Sequence, residues 1–338
     1  MDAVLTCMVD EKIGPGELNT RLIQAVKEFF GCDGAVAFRT PATALSYALK
    51  ALDVQAGSTV MISALAPSWQ LAALENYGFI PLVLDVDETT AQVTADIVSE
   101  GIQNGGRVLL LHETQGIMPD MSAIIPLGIP VIEDISQNAG AVVSAVDENG
   151  NPIEGRRAGS FGVFSILGLE EHDVITAGGG AVLLAPGRRE WMPLKKFTDT
   201  APESELLPDL NSALAWVELR EFTKNETVRR EIFTLFQHAC MSGRHKLFVR
   251  DMEGASTMCT FPVVLSSSFK DVKQYTDRKD IEIKPAFEDS VIAVRDEQFS
   301  GTCRKAKSLS LRCALFPLYP RLTHSETAKI VKVLGTLP

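Results

Sequence analysis

Seven short apolar runs in the first two-thirds of the chain restrict the folds open to it. They lie at residues 35–38, 60–63, 81–85, 107–112, 130–133, 162–165 and 180–184. They are near-continuous rather than alternating, the pattern of parallel strands covered on both faces. Helical patterns lie between several of them. Residues 43–51 put Leu45, Ala48 and Leu49 on one face, and residues 69–77 do the same with Leu71, Ala72 and Leu74. Strand–helix alternation of this kind predicts a doubly wound α/β domain.

The pattern changes after Pro186. Residues 202–208 open and close with proline and read as a loop. A long amphipathic helix is expected over 211–235, with Leu214, Val217, Leu219, Phe222 and Val228 near helical spacing. Beyond it, 260–265 reads as a strand, 269–276 as a helix and 315–318 as extended. Residues 323–334 read as a closing helix capped by Thr323 or Ser325. The 338 residues accommodate about two domains. The expected division is 1–205 for a large α/β domain and 206–338 for the long helix and a smaller α+β domain, with the first ~25 residues able to pack on the smaller one.

With 32 Lys+Arg against 43 Asp+Glu, the net charge is −11. That balance argues against nucleic acid as a partner, because gripping phosphates needs clustered cations. No stretch approaches the ~20 apolar residues of a membrane span, so no membrane is expected. Residues 1–10 lack the charged start and apolar core of a secretory signal. The six cysteines are dispersed with no CxxC pair, which excludes zinc spacing and predicts buried free thiols in a cytoplasmic protein.

Ligands of open parallel sheets bind beyond the carboxyl ends of the strands. Ser63, His112, Asp134 and Ser165 each fall at or just after such an end, and together they are expected to converge on one crevice. Taken singly, each has a plainer reading: strand ends are polar because loops begin there. VIEDISQNAG at 131–140 is the sharpest segment, an apolar strand running into Glu133, Asp134 and Gln137. An aspartate so placed can pair with a protonated ring nitrogen and make the ring a better electron sink. Trp69, just after the second strand, offers the ring an aromatic face.

These residues carry a resemblance. The chain resembles the DegT/StrS-type sugar-nucleotide aminotransferases, which are fold-type-I pyridoxal-phosphate (PLP) enzymes. HETQGIMPDM at 112–121 is similar to the family's H-x-x-G-x-x-x-D-M stretch, with one residue's difference in spacing. VIEDISQNAG is similar to V-x-E-D-A-A-Q-A-x-G. GSFGVFS at 159–165 is similar to G-x-x-G-x-x-x-F-S, one residue shorter, and ALFPLYPRL at 314–322 to L-P-L-x-P-x-L. The resemblance implies a mostly parallel large-domain sheet flanked by helices, PLP or its amine form (PMP) as cofactor, a nucleotide-sugar ligand and a homodimer. It implies roles too. Asp134 would pair with the pyridine nitrogen, Gln137 would lie near the phenolic oxygen, and Trp69 would stack on the ring. Ser165 would touch the phosphate, and Thr40 and Ala42, in the TPAT turn at 40–43, would offer it a helix N-terminus.

The departures are as informative. The family's Schiff-base lysine follows the F-S strand, and this chain has no lysine between Lys50 and Lys195. Anchoring on GGAV at 179–182 puts His172 in the lysine position. Pro41 replaces a glycine and removes an amide donor. Ala177 and Gly178 replace Gly-Glu, and the N-x-R stretch has no clear match in 203–211. Three readings follow. The first is a family protein of nucleotide-sugar or surface-polysaccharide metabolism with an incomplete cofactor site and no lysine-dependent transamination. The second is a PMP-dependent sugar 3-dehydrase-like enzyme with His172 as base. The third is an aminotransferase with an unconventional lysine, Lys195 or Lys196. Arg156, Arg157, Arg188 and Arg189 are candidates for an anionic ligand or plain solvated cations.

Overall fold

The computed structural model describes residues 2–146, 152–241, 243–252, 254 and 256–338. Twelve strands lie among the described residues. They are β1 (Gly34–Phe38), β2 (Thr59–Ser63), β3 (Ile80–Leu84), β4 (Val108–His112), β5 (Val131–Asp134), β6 (Val142–Val146), β7 (Pro152–Arg157), β8 (Phe164–Gly168), β9 (Ala181–Ala185), β10 (Phe261–Val264), β11 (Lys284–Pro285) and β12 (Cys313–Phe316). Seven of them form the main sheet in the order β1-β9-β8-β5-β4-β2-β3.

Strands β3, β2, β4, β5 and β8 are mutually parallel, and β9 runs antiparallel to both β8 and β1. The apolar runs become these strands because both faces are covered. Ile62, Leu110, Ile132 and Ile166 face one side, in a core shared with Leu45 and Leu49 of the helix Pro41–Ala51 and Leu74 of the helix Ser68–Asn76. Met61, Leu109, Leu111 and Val131 face the other, against Val98 and Ile124. The period of two fixes which neighbours share a face.

One expected strand is displaced. The run read as 162–165 is strand Phe164–Gly168, because the Gly162 amide is held at 2.5 Å by the Glu133 carboxylate and the ladder starts after it. The helix Asp209–Met241 exceeds the expected 211–235 at both ends. Its buried stripe includes Ala213, Ala215, Leu219 and Phe222, whereas Leu214, placed on that stripe by spacing, is 39% exposed. Farther along, Phe233 and Phe236 meet Phe261 of β10 edge-on, at 4.9 and 5.2 Å between ring centroids. Strand β10 belongs to a second, antiparallel sheet ordered β10-β12-β11. The closing helix His324–Leu334 starts with a capping box between Thr323 and Glu326, so Thr323 rather than Ser325 is the cap.

The helix Glu17–Phe30 packs along the long helix and against the sheet, with Leu22, Val26 and Phe30 in the core beside Ala35, Leu167 and Leu184. Its N-cap is Gly16, which has no side chain. The buried carboxylate of Asp209, at the start of the long helix, takes its place. Oδ1 accepts the amides of Gly16 and Asn19, both at 2.8 Å, and Oδ2 accepts that of Leu18 at 3.1 Å.

Candidate functional site

A cleft of about 630 Å³ opens at the carboxyl ends of β4 and β5, walled on its far side by β11 and the loop after it. Trp69, His112, Asp134, Gln137, His172 and Lys284 all line it. A second cavity of about 570 Å³ adjoins it, sharing His172, Lys284 and Leu315.

Asp134 is fully buried, and both its oxygens are occupied by the chain's own donors. Oδ1 accepts the Ser136 amide at 3.2 Å and the Ser136 hydroxyl. Oδ2 accepts Gln70 Nε2 at 2.7 Å and His112 Nδ1 at 2.9 Å. Four donors fill the roughly four lone-pair sites of a carboxylate. Burial alone would raise this carboxyl, but His112 beside it and the Ser136 bonds outweigh that and hold it below its ordinary value. The carboxylate is therefore a fixed charge under the cleft floor.

A carboxylate pair lies on the opposite face of β5. Glu133 accepts the amides of Gly159, Phe161 and Gly162. It is electrostatically coupled to buried Glu113, whose Oε2 accepts Asn138 Nδ2 at 2.5 Å. Burial, followed by the charge of Glu133, pushes Glu113 well above the usual carboxylate range. Burial raises Glu133 too, but its three backbone amides oppose that rise, so the pair's proton is expected on Glu113.

Gln115 straps the two sheets together. Its amide donates to Gln137 Oε1 at 2.7 Å, its Nε2 to the Ala286 carbonyl at 3.3 Å, and its Oε1 accepts the Thr260 hydroxyl at 2.5 Å. These bonds hold Gln115 in the left-handed region, at φ 57°, uncommon for a side chain without short polar tips.

The turn between β8 and β9 supplies the remaining wall: Glu170, Glu171, His172 and Asp173. His172 is exposed at the rim. Asp173 folds inward over Gly168, accepting the Glu170 amide at 2.8 Å. Side-chain space over Gly168 is taken: a Cβ there would sit 2.3 Å from Asp173 Oδ2 and 2.6 Å from Ser136 Oγ. Burial, and then the charges of Asp134 and Glu170, push Asp173 up to about 8 against the bond from Glu170. Because the folded value exceeds the unfolded one, the stability this group contributes is complete below about pH 4 and is lost as pH rises toward 8. Asp173→Asn removes that loss. The variant is expected to match the wild type at or below pH 4 and exceed it by about 2–4 kcal/mol at pH 8. Thermal melts at both pH values check this, and a pH-independent difference refutes it.

The structure brings together Thr40, Ala42, Trp69, His112, Asp134, Gln137 and His172 along the cleft. Ser165 is not among them. It lies in register with Glu133, one residue out of phase with Asp134, so it faces the other side of the sheet and donates to the Gly159 carbonyl at 3.0 Å. Ser63 is likewise buried away from the cleft, accepting the Leu65 amide. Lys195 and Lys196 lie in the helix Arg188–Thr198, away from the cleft lining, as do Arg188 and Arg189. Arg156 and Arg157 stack over Phe161 and Phe29. Sequence reasoning missed Gln70, Gln115, Ser136 and Asp173. It also missed Lys284, the one lysine or arginine lining the cleft among the described residues.

A mostly parallel sheet with its cleft at the strand ends, closed over by a small antiparallel sheet, defines the fold-type-I class of PLP-dependent transferases. Within it, the chain belongs to the DegT/DnrJ/EryC1/StrS aminotransferase family, which it matches over residues 1–335. Among solved structures, it is similar to an aminotransferase from Psychrobacter cryohalolentis, with TM-score 0.84, 18% identity and coverage of 99% of this chain and 95% of that one. It is also similar to a putative sugar aminotransferase from Streptococcus pneumoniae in its PLP form, with TM-score 0.86, 14% identity and coverage of 99% and 94%. A third is a variant of the GDP-4-keto-6-deoxymannose-3-dehydratase ColD with bound GDP-perosamine, at TM-score 0.83, 16% identity and coverage of 98% and 96%.

The residues present do not fit a PLP held as an imine of the β8–β9 turn. That turn carries no lysine. At the phosphate end, Pro41 has no amide hydrogen, the Thr43 amide is taken by Thr40 Oγ1 at 3.0 Å, and Ser165 faces away. Six carboxylates line the cleft, from Asp134, Glu170, Glu171, Asp173, Glu288 and Asp289. At the ring end, the donors already on Asp134 would have to give way before a pyridine nitrogen could pair with it.

Proposed function

We propose that this chain is a nucleotide-sugar-binding member of its family that does not carry out lysine-dependent transamination. In this reading it acts in the cytoplasm, as a homodimer, in nucleotide-sugar or surface-polysaccharide metabolism. The observation that carries the reading is the turn between β8 and β9, which offers the cleft His172 among three carboxylates and no primary amine. Lys284, the one lysine lining the cleft among the described residues, comes from the second sheet.

Incubation with PLP, borohydride reduction and peptide mapping test it. The expected result is no imine band at roughly 410–430 nm and no reduced adduct. An adduct on Lys284 that disappears in Lys284→Ala would replace this reading with an aminotransferase using an unconventional lysine.

A second reading is a 3-dehydrase-like activity with His172 as base. It is supported by the place of His172 on the cleft wall and by the likeness to the dehydratase structure. On that reading His172→Ala still binds the amine form of the cofactor in calorimetry and loses turnover of GDP-4-keto-6-deoxymannose. Absence of amine-form binding by the wild type would remove it.

A further inference from the structure

We propose that His112, oriented by Asp134, is a proton-transfer group that exchanges hydrogen at the carbon beside the carbonyl of a keto-sugar nucleotide, with no cofactor taking part. The inference rests on the nucleotide-sugar reading above and assigns that site a reacting group.

The geometry carries it. His112 ends β4 and lines the cleft, with 3% of its surface exposed. Its Nδ1 lies 2.9 Å from Asp134 Oδ2. An ionised carboxylate only accepts, so Nδ1 carries the hydrogen, and in the neutral ring Nε2 keeps its lone pair. With Nδ1 turned down to the buried carboxylate, Nε2 is the nitrogen turned toward the cavity. Asp134 is itself locked by Gln70 and Ser136. A fixed anion behind an imidazole sets its tautomer and stabilises the imidazolium formed when the outer nitrogen takes a proton. His172, exposed on its turn, has no such buried anchor.

The opposite charge has a place as well. Gln137 Oε1 accepts the Gln115 amide, so the Gln137 NH2 is the end left for the cleft. Lys284 lines the same space. In the step, the carbon–hydrogen bond next to the carbonyl breaks and its proton goes to Nε2. The bond's electron pair forms the enolate, whose negative oxygen is met by Lys284 or the Gln137 amide. Return of a proton to the same carbon completes the exchange. Nothing is oxidised or reduced, and no group leaves.

The test uses the full chain in D2O, without PLP or PMP, and GDP-4-keto-6-deoxymannose as probe. Mass spectrometry is expected to show deuterium entering the sugar faster than in a protein-free control. His112→Gln should slow the protein-dependent exchange by about 10²–10⁴-fold, the span of general-base catalysis. Exchange no faster than the control, or undiminished in a folded His112→Gln, overturns the proposal. A measurement on the wild type alone guards against a variant that fails to fold: nitrogen NMR of labelled histidine should find hydrogen on Nδ1 of His112 and none on Nε2. The reverse tautomer overturns it. Calorimetric binding of the probe without exchange refutes this inference alone, whereas a borohydride-trapped lysine refutes the reading beneath it.

Discussion

Glu133→Ala is expected to destabilise the fold by roughly 3–5 kcal/mol, the scale of stripping one partner from a buried charged network. The carboxylate is fully buried, accepting Gly159 at 2.9 Å, Phe161 at 2.8 Å and Gly162 at 2.5 Å. Alanine leaves three amides facing a void, each losing a charge-assisted bond. Those amides hold the loop that delivers the chain into β8, so the turn bearing His172 loosens with it. Glu113→Gln is the informative contrast. The pair's proton is expected on Glu113, so a neutral isostere should cost within about 1 kcal/mol. Urea unfolding of the two variants decides between this account and one in which Glu113 bears the charge, since a larger loss at Glu113 than at Glu133 would reverse the assignment.

Asp209→Ala is expected to cost about 2–4 kcal/mol, at the upper end for a cap because one carboxylate serves three amides. Gly16, Leu18 and Asn19 form the opening of a helix that has no cap side chain of its own. The carboxylate also lies at the positive end of that helix. Loss of Asp209 should free residues 2–30 before the sheet unfolds. Hydrogen exchange is expected to show protection falling first in the helix Glu17–Phe30 and only later in β4 and β5. Uniform loss of protection would show that this helix is not held through the contact.

Much of the large sheet was legible because buried parallel strands need continuous apolar runs, and those runs are local. The start of β8 was not, because it is set by a side chain from β5. The antiparallel course of β9 was not either, since a buried run carries no mark of direction. In the site, His112 and Asp134 stood out as polar residues closing apolar strands. Ser165 misled for the same reason: its position in the motif was plain, but its face depended on where β8 begins. Gln70 reaches Asp134 across 64 residues and Asp209 reaches Asn19 across 190. Local pattern holds no trace of contacts so distant. Lys284 comes from a two-residue strand too short for any periodicity to mark.

The strap at Gln115 couples the chamber wall to the second sheet. Its main chain touches Gln137 on the chamber wall, while its side chain holds Thr260 and Ala286 of the neighbouring layer. Whatever lodges against Gln137 must therefore favour one spacing of the layers, and a change in that spacing must alter affinity by the same factor, since such linkage is reciprocal.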